Sequence, residues 1–217
     1  MGAQAPQRRT QQQRREETRS KLILAAFELI RDKGASKFTT AEVAEMAGLT
    51  RGAVQYHFSS PYELLREVVI KVVDDMTAQL DHKGLQTVER LERLEQIVDI
   101  YWDGYKSDTY AVFMELAVNG RLNPEMSDSI REALSTLEIK RDAQWLKLIH
   151  DFDAEDAEKI SWRASLLVIL RGLALRKMFA ETEEDVERLF RVVKANYIQS
   201  ILIRVGLIEI KPVLDQD

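Results

Sequence analysis

Between Thr39 and Glu63 the chain carries a series of helix start and stop signals so closely spaced that few arrangements satisfy them. Thr39-Thr40-Ala41-Glu42 has the form of a capping box, in which the threonine accepts from the N3 amide and the glutamate reaches back. A short helix follows with Val43 and Ala44 inward, and Gly48 closes it. Thr50 then caps a second short helix, predicted from about Arg51 to His57. Ser60-Pro61-Tyr62-Glu63 is a further capping box with proline at N1, where its missing amide costs nothing, and it opens a long amphipathic helix to about Leu80. Upstream, Leu22, Ile23, Ala26, Phe27, Leu29 and Ile30 recur at helical spacing and stop at Gly34. Three helices, the last two joined by a short glycine-containing turn, form a helix-turn-helix. A helix about 10–12 Å wide can enter a major groove of about 12 Å when a partner helix braces it. Ala41, Ala44 and Gly48 let the two short helices approach closely.

Helical periodicity continues downstream and predicts helices over Gln86–Tyr105, Asp108–Arg121, Pro124–His150, Ala154–Phe179 and Glu183–Val205. No stretch alternates apolar and polar residues long enough for a strand, so the expected fold is all-α. Met1 to Gln13 is polar and without periodicity, which predicts a basic disordered arm over residues 1–16. A helix-turn-helix domain over 17–61 and a larger helical domain over 62–217 complete the expected division.

Charge is divided along the same line. The net charge is −5, yet Met1 to Ser60 hold ten Lys/Arg against six Asp/Glu, while the remainder holds 21 against 30. A basic front on an acidic body suits a chain whose one end meets phosphate. The absence of cysteine removes disulfides, thiol catalysis and thiolate metal sites, and His57, His82 and His150 have no metal-ligand spacing. No apolar run reaches the 18 or so residues of a membrane span, and a cytoplasmic protein is expected. There is no Ser-His-acid set and no phosphate loop, so no enzyme is expected. Asp74-Asp75 and Glu183-Glu184-Asp185 read as solvated faces or as charge complementing helix N-termini.

The segment Leu22 to Leu65 resembles the DNA-binding domain of the TetR/AcrR family of transcriptional regulators. The residues that carry the resemblance are Ile23 to Ile30 with Lys33-Gly34, Phe38 to Ala44, Ala47 to Val54, His57-Phe58 and Glu63-Leu64-Leu65. Two positions depart from the family pattern: Gln55 stands where tyrosine is usual, and Pro61 where a phosphate-contacting lysine is common. Arg51 and Gln55 are four apart on one helical face, and arginine and glutamine pair with guanine and adenine respectively. They are the candidates for base contact. Thr40, Thr50, Gly52 through its amide, Tyr56 and His57 are the candidates for phosphate contact, His57 on the strength of the resemblance. Arg8, Arg9, Arg14, Arg15 and Arg19 are expected to track phosphates or a minor groove.

For the rest of the chain the resemblance implies effector binding and dimerisation. Two C-terminal helices, one with Ile160, Leu166, Leu167, Ile169, Leu170, Leu173, Ala174 and Met178, the other with Val186, Leu189, Phe190, Val193, Tyr197, Ile201 and Leu202, are apolar over more than one stripe. That pattern fits a homodimeric four-helix bundle. An aromatic concentration at Tyr101, Trp102, Tyr105, Phe113 and Met114, with Trp145 and Trp162 later, is the candidate effector site for a small, mostly apolar molecule. Neither a cofactor nor a metal is called for. The resulting expectation is a dimeric repressor of a palindromic operator, released when an effector shifts the spacing of its recognition helices through the fourth helix. A regulator without an effector, or a protein-binding module with a relic helix-turn-helix, are the alternatives.

Overall fold

The computed structural model describes residues 10–78 and 84–208, and every regular element among them is helical. In chain order these are α1 (Gln11–Lys33), α2 (Thr40–Met46), α3 (Arg51–His57), α4 (Pro61–Thr77), α5 (Arg90–Tyr105), α6 (Asp108–Gly120), α7 (Pro124–Leu148), α8 (Asp156–Lys177) and α9 (Glu183–Arg204). Tight 3-10 turns lie at Ala35–Lys37 and Leu85–Thr87. No described helix is long and apolar enough to cross a membrane.

Local caps explain most of the boundaries. The Glu42 amide donates to Thr39 Oγ1 at 3.2 Å, but the Glu42 carboxylate returns to the Thr39 hydroxyl rather than its amide. Thr50 accepts from the Ala53 amide at 3.3 Å and opens α3. Gly48 takes φ +65°, a conformation that costs a side-chain-bearing residue about 1 kcal/mol or more, and the Leu49 amide then closes on Ala44 O at 2.8 Å. Before α4, the Glu63 amide donates to Ser60 as the capping pattern requires, while the Glu63 carboxylate instead accepts from the amide and hydroxyl of Ser59 at 2.7 and 2.8 Å. Helix α5 begins at Arg90 rather than Gln86, because Val88 is extended and the Glu89 carboxylate caps the Leu91 amide.

One expectation is corrected. Residues 11–16, assigned from the sequence to a disordered arm, are the first turns of α1. Thr10 and Gln13 form a reciprocal capping box there. The turns are exposed on all sides, so no apolar periodicity marked them as helix. Arg8, Arg9, His82 and the predicted end near Leu80 lie outside the described residues.

The chain divides into two compact units. Among the described residues the first comprises 10–72 and 111–134. Its core is built from Leu22, Phe27, Leu29 and Ile30 of α1, Val43 of α2, Val54 of α3, Phe58, and Leu64, Leu65, Val68, Val69 and Val72 of α4. This unit reaches past the boundary at 61–62 expected from the sequence, since the first half of α4 is buried in it. It also takes in the corner between α6 and α7. The Ala35 amide donates to Glu115 at 2.5 Å, and Asn123 Nδ2 donates to the Tyr62 hydroxyl at 2.5 Å. Gly120 permits this corner: a Cβ there would lie 2.9 Å from Met126 Cγ.

The second unit comprises 73–78, 84–110 and 135–208. Helix α5 packs on α8 and α9, with Leu94, Ile97, Val98, Leu166, Leu170, Phe190 and Ile201 buried. Four cationic residues are buried in it as well: Arg93, Arg141, Lys159 and Arg163. Arg93 meets Asp151, Arg141 meets Asp74 at 2.6 Å, and Arg163 meets Glu138 and Asp142 at 2.6 and 2.8 Å.

Candidate nucleic-acid interface

Helix α3 buries one residue deeply, Val54 at 2% exposure, and turns Arg51, Gly52, Gln55 and Tyr56 to solvent. That asymmetry follows from its length. Seven residues make two turns, so a single apolar anchor holds the helix and the rest of its circumference stays outside. Arg51 and Gln55 share the exposed face, and neither is claimed by another side chain among the described residues. Thr50 is exposed at the N-cap and Thr40 is half-buried at the start of α2.

Among the described residues nothing requires glycine at position 52. Its φ is not positive, and a Cβ there would meet nothing nearer than Thr50 Oγ1 at 3.8 Å. Within a helix glycine is less favourable than alanine by about 1 kcal/mol, and the missing side chain leaves this part of the α3 surface open to close approach. Tyr56 is 70% exposed, sets its ring edge-on to His57 at 5.1 Å, and lies 5.9 Å from the Arg15 guanidinium.

His57 closes α3 and is partly exposed, with Nδ1 buried and without a hydrogen-bond partner among the described residues. Desolvation foremost, then the charges of Arg15 and Arg19, holds its pKa below the ordinary imidazole value. The sign follows. Below pH about 6.5 the unfolded chain binds this proton more readily than the folded one, so stability present above that pH falls on acidification. Thermal unfolding followed from about pH 7.5 down to about pH 5.5 is expected to show a smaller loss of Tm in His57→Gln than in the wild type. Equal losses in both chains would remove His57 from the account.

Of the basic residues near the N-terminus, Arg14 and Arg15 are exposed on α1. Arg19 is not free to track a phosphate. Its Nη1 donates to His57 O at 2.9 Å, its Nη2 lies 3.1 Å from Glu67, and its guanidinium covers the Phe58 ring at 4.4 Å. Glu63 stands 3.6 Å from Nη1. The Ser59 amide first, with the Ser59 hydroxyl and Arg19, holds the Glu63 carboxyl below the usual range against desolvation.

The residues proposed from the sequence for an effector site are divided between the units. Tyr101, Trp102, Tyr105, Trp145 and Trp162 are buried in the second, whereas Phe113 and Met114 are half-buried on the part of α6 that belongs to the first. Within the second unit most polar tips are satisfied internally. Trp102 Nε1 donates to Glu187 at 3.0 Å with its ring stacked on Phe190, Trp145 Nε1 donates to Lys159 O at 2.7 Å, and Tyr101 Oη accepts from Arg163 Nε at 3.3 Å. Burial pushes the hydroxyls of Tyr101 and Tyr105 up and that of Tyr110 to about 12, so all three are neutral phenols. Trp162 Nε1 is buried and has no partner among the described residues.

The C-terminal helices use their apolar stripes differently from one another's simple count. Leu166, Leu167, Leu170, Leu173 and Ala174 of α8 and Val186, Phe190, Tyr197, Ile201 and Leu202 of α9 are buried within the chain. A second set stays outside: Val168 at 67%, Leu175, Met178 and Phe179 at 82% on or just after α8, with Leu189 and Val192 on α9. Leu175, Phe179, Leu189 and Val192 line a groove of about 930 Å³ between the two helices. Periodicity could not separate the two stripes, because both repeat at the same spacing on the same helix.

Comparison with known proteins places these features in context. The family model for bacterial regulatory proteins of the tetR family matches residues 22–68. The HTH-type transcriptional regulator CymR of Pseudomonas putida is 28% identical over 186 residues, covering 85% of this chain and 91% of its own length. The HTH-type transcriptional activator FasR of Mycolicibacterium smegmatis is 30% identical over 95 residues, 44% of this chain and 43% of its own. In structure, a TetR-family regulator from Mesorhizobium loti superposes with TM-score 0.70 at 17% identity, over 88% of this chain and 98% of the other.

Proposed function

We propose that this chain, a regulator of the TetR family, represses transcription by binding a palindromic operator as a homodimer and releases it on binding a small, mostly apolar effector. Members of the family bind DNA and small-molecule effectors, act as dimers and are not enzymes. The observation that carries the operator reading is the exposed face of α3, with Arg51 and Gln55 unclaimed and Gly52 open to close approach. Arg51 and Gln55 read bases; Thr40, Thr50, the Gly52 amide, Tyr56 and His57 hold phosphates. Dimers form through the outer stripe of α8 and α9, which would bury apolar surface that a monomer leaves in water. The effector lodges among the aromatic residues of the second unit, Tyr101, Trp102, Tyr105, Trp145 and Trp162.

Selection of bound duplexes from a random pool tests the reading, and a palindrome is the expected product. Gln55→Ala is expected to relax preference at one base pair of each half-site by about 1–3 kcal/mol while leaving random duplex binding unchanged. Equal loss on selected and random duplex would remove Gln55 from base reading.

A further inference from the structure

We propose that Arg19 is the positioning residue of the recognition helix, acting through the corner between α3 and α4 and making no contact with DNA itself. The proposal rests on the reading of α3 as the helix that enters the groove. A helix of two turns leaves its last carbonyls without intrahelical donors and has little packing of its own to set its direction. Here the orientation comes from outside the helix. Arg19, on α1, donates to the carbonyl of His57, the last residue of α3. The same guanidinium lies over Phe58, the buried C-cap residue, and pairs with Glu67 one turn beyond Glu63 on α4.

Glu63 completes the corner by accepting from both the amide and the hydroxyl of Ser59 while standing beside Arg19. His57, Phe58 and Ser59 are thus each tied, directly or through Glu63, to one cation on a different helix. Gln55 and Tyr56 immediately precede this corner, so a tilt at His57 moves them directly. A lysine retains the charge but is a point donor without the planar fork, and cannot serve His57 O and Glu67 together while covering Phe58.

The test uses the full chain and the duplex that wild-type protein selects from a random pool. Arg19→Lys is expected to lose about tenfold or more in affinity for that duplex, with random-duplex affinity and salt slope unchanged. A direct phosphate contact predicts the opposite: near-complete rescue by lysine, and in Arg19→Gln a salt slope smaller by about 0.9. Circular dichroism at the assay temperature establishes that the variants are folded. Should Arg19→Lys unfold, Glu67→Gln decides, because it loosens the same guanidinium from the opposite side and is expected to lose about threefold on the selected duplex alone. Wild-type affinity in either folded variant, or equal loss on selected and random duplex, overturns the proposal. If the wild-type chain selects no duplex, the operator reading falls and this proposal with it; if it selects one and the variants behave as wild type, this proposal alone falls.

Discussion

Leu175→Glu is expected to convert a dimer into a monomer at micromolar concentration. Leu175 is 47% exposed on α8 and shares the groove with Phe179, Leu189 and Val192. In a dimer formed through this stripe the new carboxylate would be withdrawn from water without a partner, once in each protomer. An unpaired buried charge costs about 3–5 kcal/mol, so the two copies together raise the dimer dissociation constant by roughly 10⁴ to 10⁷. Sedimentation velocity measures that change. Operator affinity is expected to fall with it at nanomolar protein and to recover as the concentration rises, since two recognition helices are needed to read a palindrome. Ile139→Glu is the matched control, as Ile139 is 72% exposed on α7 and lies outside the stripe. If both variants sediment as the wild type does, the α8–α9 face is not the interface.

The second large effect concerns the interior of the second unit. Arg163→Ala is expected to lower stability by about 3 kcal/mol, the lower end of the range for breaking a buried pair, because Glu138 and Asp142 retain some contact with water. Arg163 is 4% exposed and holds the Glu138 and Asp142 carboxylates of α7 as well as the Tyr101 hydroxyl. Its loss leaves two like charges at adjacent turns and a buried phenol without its donor. Replacing the group together, with Arg163→Met, Glu138→Leu and Asp142→Leu, is expected to restore most of the loss, since the desolvation cost goes with the charges. Urea titration at neutral pH measures both. A single-variant effect within about 0.5 kcal/mol of wild type would show the network to be a surface pair in energetic terms.

The DNA-reading end was the most legible part of the chain. Helix α3 begins at Arg51 and ends at His57 as the Thr50 cap and the His57-Phe58 pair predict, because a cap is a contact between residues two or three apart. The first turns of α1 went unread for a related reason: their Thr10–Gln13 box stands in a polar stretch with no buried face to announce a helix. The aromatic residues were harder still. Nothing near Trp102 and Trp145 in the sequence announces that Glu187 and the Lys159 carbonyl, 85 and 14 residues away, take their indole N–H groups. The role of Arg19 had no signal in its own neighbourhood, where it is one arginine among several. It emerges from contacts 38 and 48 residues along the chain.

Residue order alone was enough for the helices, most of their ends and the helix-turn-helix, because capping, glycine stops and the 3.6-residue period act between near neighbours. The folded chain was needed to decide which apolar stripe of α8 and α9 is buried within the protomer, which arginine holds the α3–α4 corner and where the aromatic tips find partners. Those are choices among distant groups with identical local patterns, and only packing distinguishes them.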